Sequence, residues 1–498
     1  MRSFTLGCLF ILAGLQSWSQ TPPLQLTQKQ AQEDLNWLRF SLEYVHPRLY
    51  KYDDKPTMDH RFEQVYYTLP KQGISGVDFL SKVSQLNAQV NCGHLYTIPQ
   101  YALQKEILGK KVMPFYVKVI DSSLYIFNDC SDKQPISNGS KIIAINGKPA
   151  GQIYQQMLKG IATDGYIATR KNRLIERYLS YSFQGFDLYY FLHVDQGQSF
   201  DITYASYPTG KIHQKKMQGM TRTQRKQALQ KKHKIDERAW YQTPSPQFRI
   251  AKDKRYAVLT IARSFYNKKI DPNYGSFLQK AFKTLKAQKI SNLIIDLRNN
   301  EGGSEYQQME LMAYLYGKPF KLYQNIYQSH LDFRPLKPII IERDTAKLFF
   351  NNDDAYMRKF SSKLWVSNYQ YSKNLQLQSP KSPGFRGQIY VLMNGSCFSS
   401  AADLLANIRK TTSAIFIGEE SGGTFEGPTG GISIVVQLPH SKIMIRISPN
   451  IHISSLYKKH PFGRGVLPDH PIKYTIKDLV NKRDLEMEKA IELILHKK

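Results

Sequence analysis

The sequence predicts a multidomain α/β protein: a helical N-terminal part, a β-rich middle, and a C-terminal part built on a mostly parallel sheet. Three observations carry this reading. Residues 27–52 place Leu35, Leu38, Leu42 and Val45 at helical spacing, and similar patterns recur around 58–70 and 75–91. From about residue 111 the apolar period shortens to that of strands, in VMPFYVKVI and SLYIFND. Beyond Phe248, strand and helix patterns alternate, which implies right-handed crossovers between parallel strands. A chain of 498 residues has room for about three domains.

Taken in order, the first twenty residues, MRSFTLGCLFILAGLQSWSQ, carry one positive charge at Arg2, an apolar run from Phe4 to Leu15, and small residues at Ser17 and Ser19. This reads as a signal peptide over 1–19, cleaved before Gln20. The run is too short to span a bilayer, so an exported, periplasmic or extracellular, soluble chain is expected. Cys8 lies in that run without a convincing lipoprotein box, which leaves lipidation as a minor alternative.

A helical domain is expected over 20–109. Thr27 can cap its first helix and Pro47 ends it. At Asn91-Cys92-Gly93-His94 the glycine breaks the helical pattern and leaves His94 in a loop. The β-rich domain is expected over 110–215. It has a turn at Asp121-Ser122-Ser123, a strand from Lys141 to Ile145, an Asn-Gly turn at 146–147, a short helix, an insertion over 160–190, and a strand in SFDITYAS. Ten basic residues between Lys211 and Arg238 then mark a basic linker over 216–246, read as a solvated loop or helix.

The last large domain is expected over 247–480, with a C-terminal helix over 481–498. Strand RYAVLTIARS, helix PNYGSFLQKAFKTLKAQK and the apolar strand NLIIDLR lead into the turn Asn299-Asn300-Glu301-Gly302-Gly303 and another helix. Residues 321–385 are polar, aromatic and mixed. A second strand, Ile389 to Met393, then enters the turn Asn394 to Ser400, a helix to about Lys410, and a strand ending at Gly418. A hairpin, GISIVVQLP with KIMIRIS, and the segment GRGVLPDHPI follow.

The formal charge of +29 is spread along the chain and is accompanied by no recognised nucleic-acid motif. Loose attraction to an anionic envelope surface, or to acidic substrates, is its expected consequence. Beyond the leader, Cys92, Cys130 and Cys397 form neither a disulfide framework nor a zinc spacing, although one pair could bridge.

Three separated stretches could build one site. Ser399 or Ser400 lies where a strand turns into a helix, facing the positive end of the helix dipole and free backbone N–H groups. Either serine could instead simply cap the helix. The Gly302-Gly303 turn ends an apolar strand, where ligands collect in open α/β sheets. The third stretch is the His94 loop.

LIIDLRNNEGG (293–303), NGSCFSSAADLLA (394–406), FIGEESGG (416–423) and GVLPD (465–469) resemble the family of tail-specific (C-terminal-processing) proteases, tricorn protease and interphotoreceptor retinoid-binding protein. GSKIIAINGKP (139–149) resembles part of a PDZ domain. EDLNWLRFSLEYVHPRLY and NCGHLYT resemble the helical region of the tricorn-like branch. The resemblance covers most of the mature chain in the family's order. It implies a catalytic domain of crotonase-like ββα repeats and a serine nucleophile. Counting back from Gly418 favours Ser399, with Ser400 second.

The loop after Glu419 holds no lysine where the family's lysine base is expected, so the resemblance points to His94 as general base, while His46 reads as a helix-end contact. It further implies an oxyanion hole from the N–H groups of Gly302, Gly303 and Ser400, with Glu301 departing from the usual small residue. The group orienting the histidine stays open among Glu419, Glu420, Glu426 and Asp469. The implied activity is hydrolysis of peptides or unfolded protein tails, with no metal or cofactor. The rival reading is a non-catalytic peptide- or lipophile-binding protein on the same fold.

Overall fold

The computed structural model describes residues 24–132, 134–180, 183–236, 242–341, 356–361, 364–455 and 457–496. The expected signal peptide lies outside them. Helices α1 (Gln28–Val45), α2 (Lys55–Tyr67) and α3 (Gly76–Ala88) form the N-terminal part. Thr27 caps α1 in a capping box, Asp54 caps α2 and Ser75 caps α3. After α3 comes the His94 loop, then a short strand β1 (Tyr96–Ile98) and helix α4 (Tyr101–Gly109).

The middle part is an antiparallel sheet of β2 (Tyr116–Ile120), β3 (Ser123–Phe127), β4 (Ser140–Ile145), β5 (Ser199–Ala205) and β6 (Ile212–Gln218), in the order β6-β5-β4-β3-β2. Helices α5 (Ala150–Leu158), α6 (Ala168–Glu176) and α7 (Gly185–His193) fall between β4 and β5. The described residues of 160–190, which read as an insertion in the sequence, are built into the domain. Ile175 of α6 and Phe186 and Tyr190 of α7 are buried in the same core as the strands.

The described residues 211–236, expected as a solvated basic loop or helix, are part strand and part helix. They form β6, paired along its full length with β5, and helix α8 (Arg222–His233). What holds α8 is burial: Leu229 packs inward, and fully buried Arg225 donates to Asp187 Oδ1 at 3.0 Å and to the Met113 carbonyl at 2.9 Å. A buried guanidinium is tolerated because its carboxylate and carbonyl partners replace water. Composition alone hid that one inward arginine.

In the C-terminal part, β7 (Gln247–Ile250), β8 (Ala257–Thr260), β9 (Asn292–Asp296), β10 (Tyr323–Gln328), β11 (Gln388–Met393) and β12 (Ile415–Gly418) alternate with α9 (Tyr274–Ala287), α10 (Glu305–Leu315) and α11 (Ser400–Thr411). There follow β13 (Ile434–Gln437), β14 (Met444–Ile447), β15 (Asn450–Ser454), β16 (His470–Pro471) and α12 (Leu485–Leu495). The main sheet runs β7-β8-β9-β11-β12-β16. Only β7 is antiparallel to its neighbour.

Alternate side chains of these strands serve two layers. Leu293, Ile295, Val391 and Met393 face α9, α10 and α11, whereas Ile294, Tyr390, Leu392 and Ile417 face α12. Burial on both faces is why these strands read as continuous apolar runs. The expected α/β class with a mostly parallel sheet is the one observed.

A separate sheet, β13-β14-β1, joins the two ends of the chain. Tyr96, Thr97 and Ile98 pair antiparallel with Arg446, Ile445 and Met444. The hairpin's Ile434, Val436, Ile445 and Ile447 share a core with Leu35, Leu38 and Leu42 of α1 and Phe79 of α3. The helical part and the hairpin therefore bury one another. Cys92, Cys130 and Cys397 are each buried and unpaired. Among the described residues no helix is long and apolar enough to cross a membrane.

Candidate active site

The site starts from the end of β11. Asn394 Oδ1 accepts from the backbone N–H of Asn299 and of Ser396, both at 3.1 Å, and its Nδ2 donates to Asn299 Oδ1 at 3.0 Å. These bonds tie together the two turns that leave β9 and β11. Asn300 is fully buried and closes the other side. It donates to the Ile261 carbonyl at 2.9 Å and accepts from the Gly302 N–H at 2.9 Å.

Between these turns Ser399 adopts φ +53°, ψ −130°, a region L-residues rarely occupy. Such strain persists only where surrounding contacts over-determine it. Here the Phe398 N–H donates to the Asn300 carbonyl, and the Asp403 N–H donates to the Ser399 carbonyl. Ser399 occupies the N-cap position of α11, yet its hydroxyl makes no capping bond. Instead Ser399 Oγ lies 2.9 Å from His94 Nε2, a contact between residues 305 apart in sequence.

Ser400, the second candidate, is buried in the first turn of α11, and its hydroxyl has no partner among the described residues. The capping alternative is thus excluded for Ser399 by geometry. His46 ends α1 as its C-cap, and its Nδ1 accepts from the Arg48 N–H.

His94 is 6 % exposed. Its ring stacks on Phe398 at 4.5 Å between centroids, and the Arg170 guanidinium covers Phe398 from 4.4 Å. The backbone leading to the histidine is held by Asp164, whose Oδ1 accepts from the Gly93 N–H at 2.6 Å. Burial, followed by the positive charges of Arg446, His452 and Arg170, pushes the His94 pKa down to about 3. The imidazole is therefore neutral at neutral pH and able to accept a proton. Its Nδ1 has no partner among the described residues.

None of the four acidic residues considered for that role reaches His94. Glu419 pairs with Arg173, Glu420 with Arg464, Glu426 with Lys51, and Asp469 with Arg409.

The glycine turn lies directly against the serine. A Cβ at Gly302, whose φ is +88°, would fall 2.8 Å from the Ser400 nitrogen and 2.9 Å from Ser399 Cβ, so no side chain fits there. The Gly302 N–H is already committed to Asn300, which removes it from the three amides expected to meet an oxyanion. The amides of Gly303 and Ser400 remain as candidates. Glu301 is accommodated in place of a small residue because two arginines hold it, Arg170 at 3.1 Å and Arg177 at 2.6 Å.

Sequence reasoning missed Asp164, Arg170 and Phe398 as parts of this site. Phe398 stood within the quoted serine motif, but nothing in the sequence signalled the other two.

A hydroxyl in hydrogen-bond contact with a neutral imidazole, at a strained strand-to-helix turn, defines a serine hydrolase arrangement. Residues 255–472 match the model of peptidase family S41. The match covers the C-terminal part of the chain and makes it a serine-type peptidase.

In fold it is similar to mature CPAF, with 15% identity, a TM-score of 0.60, and coverage of 94% of this chain and 96% of that one. It is similar also to mature CPAF complexed with lactacystin, with 14% identity, a TM-score of 0.61, and coverage of 94% and 98%. A putative peptidase from Parabacteroides merdae matches at 14% identity and a TM-score of 0.46, covering 95% of this chain and 98% of that one. No curated protein matches the chain.

Proposed function

We propose that this is an exported serine peptidase that hydrolyses peptides or unfolded protein tails through an acyl-enzyme. Ser399 is the nucleophile and His94 the general base. The observation that carries the reading is the 2.9 Å contact between Ser399 Oγ and His94 Nε2 at the head of α11.

In this scheme neutral His94 takes the Ser399 proton as Oγ attacks the scissile carbonyl. The oxyanion is met by the backbone N–H groups of Ser400 and Gly303, reinforced by the N-terminal dipole of α11. His94 then returns the proton to the leaving amine, and water repeats the sequence on the ester. The antiparallel sheet of β2 to β6 supports the PDZ-like reading, in which an extended chain adds to a sheet edge. Export rests on the apolar leader from Phe4 to Leu15.

A fluorophosphonate probe tests the assignment on wild type and on Ser399→Ala, Ser400→Ala and His94→Ala. Labelling is expected in wild type and Ser400→Ala, and absent from Ser399→Ala. Labelling that survives Ser399→Ala but is lost in Ser400→Ala would move the nucleophile by one residue. A wild type that neither labels nor hydrolyses any peptide would favour the non-catalytic binder.

A further inference from the structure

Beside the Ser399–His94 pair lies a group of guanidiniums with too few carboxylates. Arg446 on β14 sits opposite Tyr96 on β1, with its Cζ 5.2 Å from the Tyr96 ring. Its Nε donates to Ser433 Oγ at 2.9 Å. Among the described residues no Asp or Glu stands within ion-pair distance of Arg446.

The Tyr96 hydroxyl is within electrostatic reach of Arg446, Arg170, Arg177 and Glu301. Glu301 already serves both Arg170 and Arg177, and Arg170 also lies within electrostatic reach of Asp164, which leaves neither carboxylate paired with Arg446. Arg446 is only partly accessible, and Tyr96 is 38 % exposed, so the group reaches solvent. The wall is continuous with the catalytic pair: a Cβ at Gly430 would fall 3.1 Å from His94 Nε2, and three residues further on Ser433 anchors Arg446. Among the described residues Arg446 thus has no counter-charge, and a ligand carboxylate would offset the cost of its partial desolvation.

We propose that Arg446 is a specificity-determining residue that receives a carboxylate of the substrate beside Ser399. This deepens the peptidase reading and rests on it for the word substrate. Guanidinium and carboxylate match as a planar fork, and the terminal nitrogens of Arg446 meet no acceptor among the described residues. The carboxylate can come from an acidic side chain near the scissile bond or from the free chain end.

Binding also acts on the base. Arg446 is the foremost charge opposing protonation of His94, and an anion on it offsets that opposition. Recognition should therefore raise kcat as well as lower KM.

The test separates binding from turnover. Peptides of neutral sequence carrying one Glu, Gln or Lys at successive positions, each with a free or an amidated C-terminus, are titrated by fluorescence anisotropy against full-length Ser399→Ala protein. The Glu or the free-end peptide is expected to bind about ten- to a hundredfold tighter than its neutral counterpart. Preference for Glu that survives amidation identifies a side-chain carboxylate; preference lost on amidation identifies the chain end.

Adding Arg446→Glu should transfer the preference to Lys, while adding Arg446→Lys should keep part of the preference for the anion. Equal binding of all peptides by the Ser399→Ala protein, a comparison that does not depend on altering Arg446, overturns the proposal. So does an Arg446→Glu protein that still favours the anion. Hydrolysis of the same peptides by wild type is scored separately. Selective binding without any hydrolysis would sink the peptidase reading and leave the carboxylate site standing.

Discussion

Thr97 lies opposite Ile445, and through that pairing a strand from the beginning of the chain becomes the edge of a hairpin near its end. His94 is three residues before Thr97, so the register that zips β1 onto β14 also sets where the imidazole points. Asn87 of α3 donates to Thr97 Oγ1 at 2.7 Å and ties this strand back to the helical part. The proposed base is thus a property of an interface, while the proposed nucleophile belongs to a single turn.

In the proposed mechanism Ser399 and His94 act as one unit, so their losses should not add. Ser399→Ala and His94→Ala are each expected to lower kcat by roughly a thousandfold or more, with the double variant little worse than either. Ser400→Ala removes a hydroxyl without a partner and should cost far less. Steady-state kinetics on one peptide decides it: strictly additive losses would mean that the two residues are not coupled.

The pH profile should carry the mark of a depressed histidine. His94 is held near a pKa of about 3 by burial first, and then by Arg446 and its other neighbours. In the proposed mechanism the competent form is neutral, so activity is expected to be lost only as pH falls through that lowered value. The acid limb of kcat/KM, which reports the free enzyme, is expected well below 6.5. A limb at or above 6.5 would contradict His94 as the base.

Asp164 should matter through position rather than chemistry. Its Oδ1 holds the Gly93 N–H, and burial raises its pKa to about 6. Asp164→Ala should reduce kcat about tenfold or more, with a smaller effect on KM, because a lost bond of this kind is worth about 1–3 kcal/mol. Asp164→Asn keeps an oxygen acceptor and should recover most of the rate. An Asn variant as impaired as the Ala variant would refute this role.

Asp403 offers a test of stability. Burial raises its pKa to about 7, and Tyr323 donates to its Oδ2 at 2.7 Å. Between about pH 4 and pH 7 the unfolded chain gives up this proton while the folded one keeps it. The group's contribution is therefore fully present below pH 4 and declines as pH rises to 7, by roughly 1.4 kcal/mol for each pH interval of one across that window. Asp403→Asn does not titrate, so its thermal midpoint relative to wild type should improve from pH 5 to pH 8. A difference that stays constant across that range would show that the carboxyl is not held protonated.

The sequence by itself determined what neighbouring residues decide. Thr27, Asp54 and Ser75 start their helices by local capping, and the apolar runs at Ile294 and Tyr390 announce strands buried on both faces. The turn Asn394 to Ser400 was legible because its glycine, serines and following helix are contiguous. Over residues 211–236 the same local logic allowed a helix but missed the strand and the buried arginine on Asp187, because the many exposed lysines outweighed it.

Tertiary structure alone decided which residues share the site. The Gly302 amide was removed from the oxyanion candidates by a bond to Asn300. Glu301 was made tolerable by Arg170 and Arg177 from another sheet's helix, and the four acids considered for His94 were each taken by a different cation. Such partnerships follow from burial of a common core, in which Leu35 and Leu38 meet Ile445 and Ile447. That burial rewards contacts whatever their separation along the chain, and no local pattern in the sequence records it.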